Sequence, residues 1–348
     1  MSMHRRSFLL GCCACALPVA AAADDEASLW AYMDRQEREL RRSPFLIRDE
    51  ALNRYVRDIA CRLAGEHCPG VRVYIVRKAQ FNATMAPNGM LQVWSGLLLR
   101  VKNEAQLAAI LGHEIGHYVA RHGVQRLREA KSRSAAGQTA GVALAFFGVL
   151  GIAVNSVAQL ALGAGGAAYS RDHEREADRI GLELMQRAGY APAEAARVWS
   201  QLVAEEDGTL FATHPSAAER AGLLAAAAQP GGRVGAQSYQ RILAPHRFTF
   251  LRDELLRGRY GETLALLERL PQDGEVLFFK GEAHRLRGEP ELALTAYRAA
   301  ENPPPELHRS MGLVLRRLGE HGDAARAFGR YLELRPDASD AVMVRAYL

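Results

Sequence analysis

Two histidines four residues apart, with a glutamate directly after the first, occur in the stretch ILGHEIGHYVARHG, residues 110–123. On an α-helix, residues i and i+4 share one face, so His113 and His117 can direct two imidazoles at a single metal ion. Zinc accepts such nitrogen ligands in tetrahedral geometry. Glu114 lies beside them, where its carboxylate can take a proton from an attacking water and pass it to a leaving amine. The pattern predicts a zinc hydrolase centre that still needs a third protein ligand.

A second helical segment, RDHEREADRIGLELMQRAG at residues 171–189, offers that ligand. Its Glu174 and Asp178 are also four residues apart and share a helix face. We expect Glu174 to complete the zinc site and Asp178 to hold the ligand His113 through the second ring nitrogen. A segment this rich in charge is also typical of a solvated surface helix, and that alternative stays open.

Three neighbouring polar side chains are expected not to bind the metal. Glu176 lies off the face shared by the other two carboxylates, and His173 should point away from the ion. His122 should lie beyond the site near the end of its helix, in a structural role.

The elements that must position these residues follow from the apolar pattern. Helices rich in charge are predicted from residue 24 to about 65, and strands at 71–76 and 90–94. Asn103, with Gln106 three residues later, is typical of the start of a helix, which then carries both histidines. A fold of mostly helical α+β class follows.

The 90–94 strand, MLQVW, is the element predicted to bind substrate. As an exposed edge it would pair with an extended peptide through main-chain hydrogen bonds, with Leu91 and Val93 at the binding surface. In the alternative, these two side chains fill the core and the edge is covered. A candidate cover is the apolar stretch at 139–168, which would then act as a plug that moves for activity. That stretch is otherwise interpreted as a hairpin that contacts a membrane or as a transmembrane helix.

The last hundred residues repeat with a period of 31. Gly281, Ala293 and Tyr297 recur as Gly312, Ala324 and Phe328. Small residues at helix crossings and aromatic residues between helices are typical of stacked helix pairs such as tetratricopeptide repeats. The alternative is an unspecialised helical tail.

The N-terminus is predicted to be an export signal over residues 1–23. A basic start, an apolar run and an Ala-Ala-Ala cleavage site before Asp24 give this pattern, and Arg5-Arg6 resembles a twin-arginine signal. Removal of two arginines lowers the net charge from +5 to +3, which argues against nucleic-acid binding. Cys61 and Cys68 remain as an even pair in an exported chain, so a disulfide is expected, with two buried thiols as the alternative.

Together, the stretches HEIGH, SRDHEREADRIG and HPSAAER resemble the HtpX- and BepA-type zinc metallopeptidases, a gluzincin family, over roughly residues 45–225. NATMAPNGMLQVWSGLLL also resembles that family's strand and turn before the active-site helix. The resemblance implies an endopeptidase with one zinc ion held by His113, His117 and Glu174, and with Glu114 as base. Exported members of the BepA kind carry tetratricopeptide repeats after the protease, as this chain is predicted to do. The resemblance therefore also implies a periplasmic location.

The resemblance also covers His214 and Arg220, which match a His-Pro-x4-Arg segment of the family. The histidine would either be a fourth ligand that holds the enzyme latent or a donor that stabilises the oxyanion. An inert histidine in a surface loop remains the alternative. Arg220 would either bind a substrate carbonyl or pair with an acid.

The domain organisation predicted from these observations is a signal peptide at 1–23, a zincin-like metallopeptidase domain at 24–245 and a tetratricopeptide-like domain at 246–348. The expected substrates are unfolded or misassembled envelope proteins, and the repeats would dock partners such as the outer-membrane assembly machinery. A chaperone or scaffold with a latent or structural metal site is the alternative. The intact Glu114 argues against it, because a structural site needs no base.

Overall fold

The computed structural model describes residues 19–126, 170–203 and 217–348 of the protein, which forms two compact units, residues 1–43 and 44–348. In the first unit, helix α1 (Val19–Arg42) carries an ion pair between Arg41 and Glu37, 2.9 Å long. Most of the predicted signal peptide and the whole of the predicted 139–168 hairpin lie outside the described residues. The described helices include no candidate for a segment that spans a bilayer.

The second unit is mostly helical with one small sheet, as the α+β class predicted. Its strands are β1 (Arg72–Val76), β2 (Ala83–Met85) and β3 (Met90–Trp94). Its helices are, in chain order, α2 (Glu50–Ala64), α3 (Ser95–Arg100), α4 (Glu104–Val119), α5 (Arg171–Arg187), α6 (Ala193–Val203), α7 (Ala217–Ala227), α8 (Ala236–Leu256), α9 (Tyr260–Leu267), α10 (Gly274–Arg287), α11 (Pro290–Ala299), α12 (Glu306–Arg317), α13 (His321–Leu334) and α14 (Ala341–Arg345).

The sheet corrects the predicted role of the 90–94 strand. Strand β3 lies in the middle, parallel to β1 and antiparallel to β2, so both of its edges are hydrogen-bonded. Leu91 and Val93 are fully buried in the core, and the prediction that they line a substrate-binding edge is wrong. The strand is apolar because it packs inside the domain, which is the alternative considered above.

Strand β2 is an edge of this sheet. The Trp94 amide donates to the Asn82 carbonyl at 3.1 Å, and the Ala86 amide donates to the Met90 carbonyl at 2.9 Å. Backbone groups of successive residues in an antiparallel strand point to opposite sides. The backbone N–H and C=O groups of Ala83 and Met85 therefore point away from β3.

Helices α4 and α5 approach each other closely at glycines. A Cβ at Gly112 would lie 3.1 Å from the Gly181 carbonyl oxygen, and one at Gly116 would lie 2.7 Å from the Ala177 carbonyl oxygen. A side chain at either position would force the backbones apart. Glu174, the predicted third metal ligand, lies on α5, and the glycine contact brings this helix against α4.

Helix α2 runs into a short 3-10 turn at Gly65–Gly70, and the two are joined by a disulfide between Cys61 and Cys68. The predicted disulfide is confirmed. Its Cα atoms lie 4.7 Å apart, in the range that a disulfide spans.

The C-terminal helices pack as pairs, α10 with α11 and α12 with α13. In the first pair Gly281 faces the Tyr297 ring, which an added Cβ would meet at 2.2 Å; in the second, Gly312 faces the Phe328 ring, at 2.6 Å. The 31-residue period therefore corresponds to one helix pair with the same glycine-to-aromatic contact.

Helix α8 runs through the predicted domain boundary at 245/246. That boundary and the assignment to tetratricopeptide repeats stay predictions.

Candidate metal centre

Helix α4 begins where the sequence pattern predicted. Asn103 caps it, with its side-chain oxygen accepting from the Gln106 amide at 2.8 Å. The helix is buried along most of its length, so His113, Glu114 and His117 are each no more than 3% exposed. A polar triad this deeply buried needs partners that compensate for lost hydration.

The donor atoms of His113, His117 and Glu174 converge on one point. The two histidine Nε2 atoms are 3.0 Å apart, and they lie 3.5 and 3.4 Å from the two carboxylate oxygens of Glu174. In a tetrahedral zinc site with bonds of about 2.0–2.1 Å, neighbouring donors are about 3.3 Å apart. The spacing and the chemistry of the three groups therefore fit a metal ion of this kind.

Asp178 lies one turn after Glu174 on α5, and its Oδ1 is 3.0 Å from Nδ1 of His113. With the proton on Nδ1 donated to this carboxylate, Nε2 of His113 offers its lone pair to a metal ion. Burial, with the nearby Arg220 charge, lowers the pKa of His113 to about 4, which favours the neutral ligand form. Although burial opposes it, hydrogen bonds from His113 and Arg220 lower the pKa of Asp178 to about 2.

Of the two roles left open for Arg220, the structure shows pairing with acids. Its guanidinium contacts Asp178 at 2.5 and 2.8 Å and Glu174 at 3.1 Å. It is 2% exposed and lies 3.7 Å over the ring of Trp199, whose importance the sequence analysis missed. One buried cation thus holds the carboxylates of Glu174 and Asp178, and the prediction that Arg220 contacts substrate is replaced by this role.

Glu114 is held from the sheet side. The backbone amide of Met85, on the outward edge of β2, donates to its Oε2 at 3.1 Å. This contact fixes one carboxylate oxygen of the predicted base. It depends on β2 being an edge strand, and the order of the strands could not be predicted from the sequence.

The prediction that His122 lies beyond the site is wrong, because this residue contacts His117, one of the candidate ligands. Its Nδ1 is 2.9 Å from Nδ1 of His117, and its Nε2 is 3.1 Å from Oε2 of Glu176. The ring of His173 stacks on it at 4.4 Å. Arg121 has the left-handed φ of 56°, which turns the chain back at the end of α4. Burial lowers the pKa of His122.

His214, the remaining predicted site residue, lies outside the described residues. Its two predicted roles stay predictions.

Comparison with known proteins adds an independent observation. The model of peptidase family M48 matches residues 46–228, which are more than half of the chain. Among relatives, the mitochondrial metalloendopeptidase OMA1 of Arabidopsis thaliana is 35% identical over 176 residues, 49% of this chain and 35% of that protein. The beta-barrel assembly-enhancing protease of Escherichia coli is 30% identical over 175 residues, 46% of this chain and 34% of its own length.

A putative beta-barrel assembly-enhancing protease of Vibrio cholerae is 28% identical over a longer stretch of 245 residues, 66% of this chain and 48% of that protein. The chain thus spans less than half the length of each of these three relatives. The matched region contains all three metal-ligating candidates, the predicted base and Arg220. The chain belongs to peptidase family M48.

Proposed function

We propose that this protein is a zinc-dependent endopeptidase that cleaves unfolded or misassembled polypeptides. The observation that carries the proposal is the arrangement of three buried donors, His113, His117 and Glu174, at the spacing of a tetrahedral site, with the carboxylate of Glu114 beside them. Imidazole and carboxylate ligands with a fourth position open are typical of catalytic zinc, which acts as a Lewis acid when bound.

In this proposal the chain's own residues orient the groups and move the proton. Glu114 takes the proton of the attacking water on the oxygen not held by Met85 and delivers it to the leaving amine. Asp178 keeps His113 in the ligand tautomer, and Arg220 holds the carboxylates of Glu174 and Asp178 in place. The water-excluding burial of the site strengthens these interactions.

The substrate strand is proposed to lie along β2, because β3 is paired on both sides. The outward-facing backbone groups of Ala83 can form main-chain hydrogen bonds with an extended peptide, and Met85 on the same edge contacts the base. Main-chain pairing suits unfolded chains of many sequences. Both residues are buried, so a peptide reaches this edge only after the segments over it move aside.

The predicted export signal supports a periplasmic location. Two of the relatives are named as beta-barrel assembly-enhancing proteases, which supports envelope proteins as substrates. The C-terminal helix pairs offer a surface for docking partners, as stacked helix pairs commonly do.

The test is hydrolysis of an unfolded substrate by the purified mature chain, with bound zinc measured in the same samples. Glu114→Gln should retain zinc and lose cleavage, because the amide cannot accept the proton. Higher activity in His214→Ala would support a latent state held by that histidine. If wild type and His214→Ala both bind zinc and neither cleaves, the scaffold alternative takes its place.

A further inference from the structure

The contact between His117 and His122 joins two nitrogens of the same type, so one must donate and the other accept. A histidine that binds metal through Nε2 carries its proton on Nδ1. His117 is therefore the donor in this pair, and Nδ1 of His122 is the acceptor. His122 then carries its own proton on Nε2, which is the atom 3.1 Å from the Glu176 carboxylate. Both hydrogen bonds run in one direction, away from the metal position and toward Glu176.

We propose that His122 is a positioning residue for the metal centre, and that its Nδ1 accepts the hydrogen bond that fixes the tautomer and orientation of His117. The inference rests on the zinc site proposed above. In this arrangement the two ligand histidines are held by different chemistry, His113 by the Asp178 carboxylate and His117 by a second imidazole.

The surroundings of His122 support this role. Its side chain is fully buried, whereas the side chain of Glu176 is 49% exposed, so the pair links the buried site to the surface. The ring of His173 stacks against it and restricts its rotation. Arg121 adopts a left-handed conformation that non-glycine residues rarely take, and this turn directs the next residue back toward His117.

Two substitutions separate a hydrogen-bonding role from a packing role. His122→Asn retains an oxygen near the position of Nδ1 that can accept from His117. His122→Phe retains the ring volume and removes the acceptor. Zinc affinity of the full mature chain, measured by competition with a chelator, should fall about 10- to 100-fold in His122→Phe. In His122→Asn it should stay close to wild type.

Further readouts distinguish the proposal from a simple loss of structure. The metal-free His122→Phe protein should still unfold in one cooperative transition, and in the zinc-loaded protein kcat should fall while KM is retained. In zinc-loaded protein labelled with ¹⁵N-histidine, the hydrogen-bonded Nδ1–H signal of His117 should be lost in His122→Phe. Glu176→Gln should weaken zinc binding less than His122→Phe does, because an amide oxygen can still accept. The matched control Glu183→Gln, an exposed carboxylate on the same helix, should change nothing.

Three outcomes would overturn the inference. If His122→Phe binds zinc as tightly as wild type, the hydrogen bond does not position His117, and the proposed peptidase function is unaffected. If His122→Asn is as defective as His122→Phe, the residue acts by packing. If wild type itself binds no zinc, the inference and the proposed function fail together.

Discussion

Substitution of Gly116 by alanine tests whether the close contact of α4 and α5 positions Glu174, the proposed third metal ligand. The new Cβ would lie 2.7 Å from the carbonyl oxygen of Ala177, whereas ordinary contact begins at 3.4 Å. Because the obstructing atom belongs to a helix backbone and cannot rotate away, the helices must separate by about 0.7 Å. The shift reaches Glu174, one turn earlier on α5, whose oxygens are now 3.4 and 3.5 Å from the ligand nitrogens.

We expect Gly116→Ala to weaken zinc binding by about tenfold or more, and to reduce kcat on the order of 100-fold. Overpacking should also lower the unfolding free energy of the metal-free protein by about 1–3 kcal/mol. Chelator competition, peptide hydrolysis and urea unfolding measure the three effects. Gly329→Ala in α13 is the matched control, since an added Cβ there meets no atom within 4 Å, and it should leave zinc affinity unchanged. Wild-type zinc affinity and kcat in Gly116→Ala would refute the reasoning.

Three further substitutions have distinct expected results. Arg220→Met leaves two buried carboxylates without their shared cation, and we expect urea unfolding to show a loss of about 3–5 kcal/mol; an unchanged stability would contradict the pairing. Glu282→Gln should lower the unfolding free energy by about 1–3 kcal/mol at pH 7. Although burial opposes it, the Arg285 guanidinium lowers the pKa of Glu282 below its ordinary value of 4.5. The ionised carboxylate therefore stabilises the protein above pH 4.5, and this stabilisation is lost as the pH falls through the lower pKa of the folded state. The difference in unfolding free energy between wild type and Glu282→Gln should therefore narrow in acid, and a difference independent of pH would contradict this. Replacing Cys61 and Cys68 together with serine removes the disulfide that constrains the unfolded chain, and should lower the unfolding free energy by roughly 2 kcal/mol. Zinc affinity should not change, and a loss of zinc affinity would contradict the separation of the two sites.

The candidate metal ligands could be predicted from the sequence because their geometry is local. The spacing of His113 and His117 places both on one helix face whatever the surrounding fold, and the same holds for Glu174 and Asp178. The part of the chain that packs against the glycines of α4 could not be predicted in this way, because it depends on where α5 lies in the fold.

Features that depend on the path of the chain could not be predicted in this way. The apolar residues of β3 indicate a buried strand, but they do not encode the order of strands, and β2 has only three residues. His122 follows a left-handed residue, Arg121, which nothing in the local pattern signals. The partners of Arg220 lie 42 and 46 positions away in the chain, so its two chemically sensible roles could be separated only by the fold.

The hydrogen bond from the Met85 amide to Glu114 gives strand β2 two tasks. The strand that is proposed to bind the peptide also holds the base, so any displacement of β2 changes the distance over which a proton is transferred. Peptide residues far from the scissile bond that pair with β2 would fix its position and, through it, the position of Glu114, and would thereby increase the rate of the chemical step. Shortening a substrate at that end should therefore reduce the turnover number as well as the affinity, and the enzyme should discriminate against short peptides by rate.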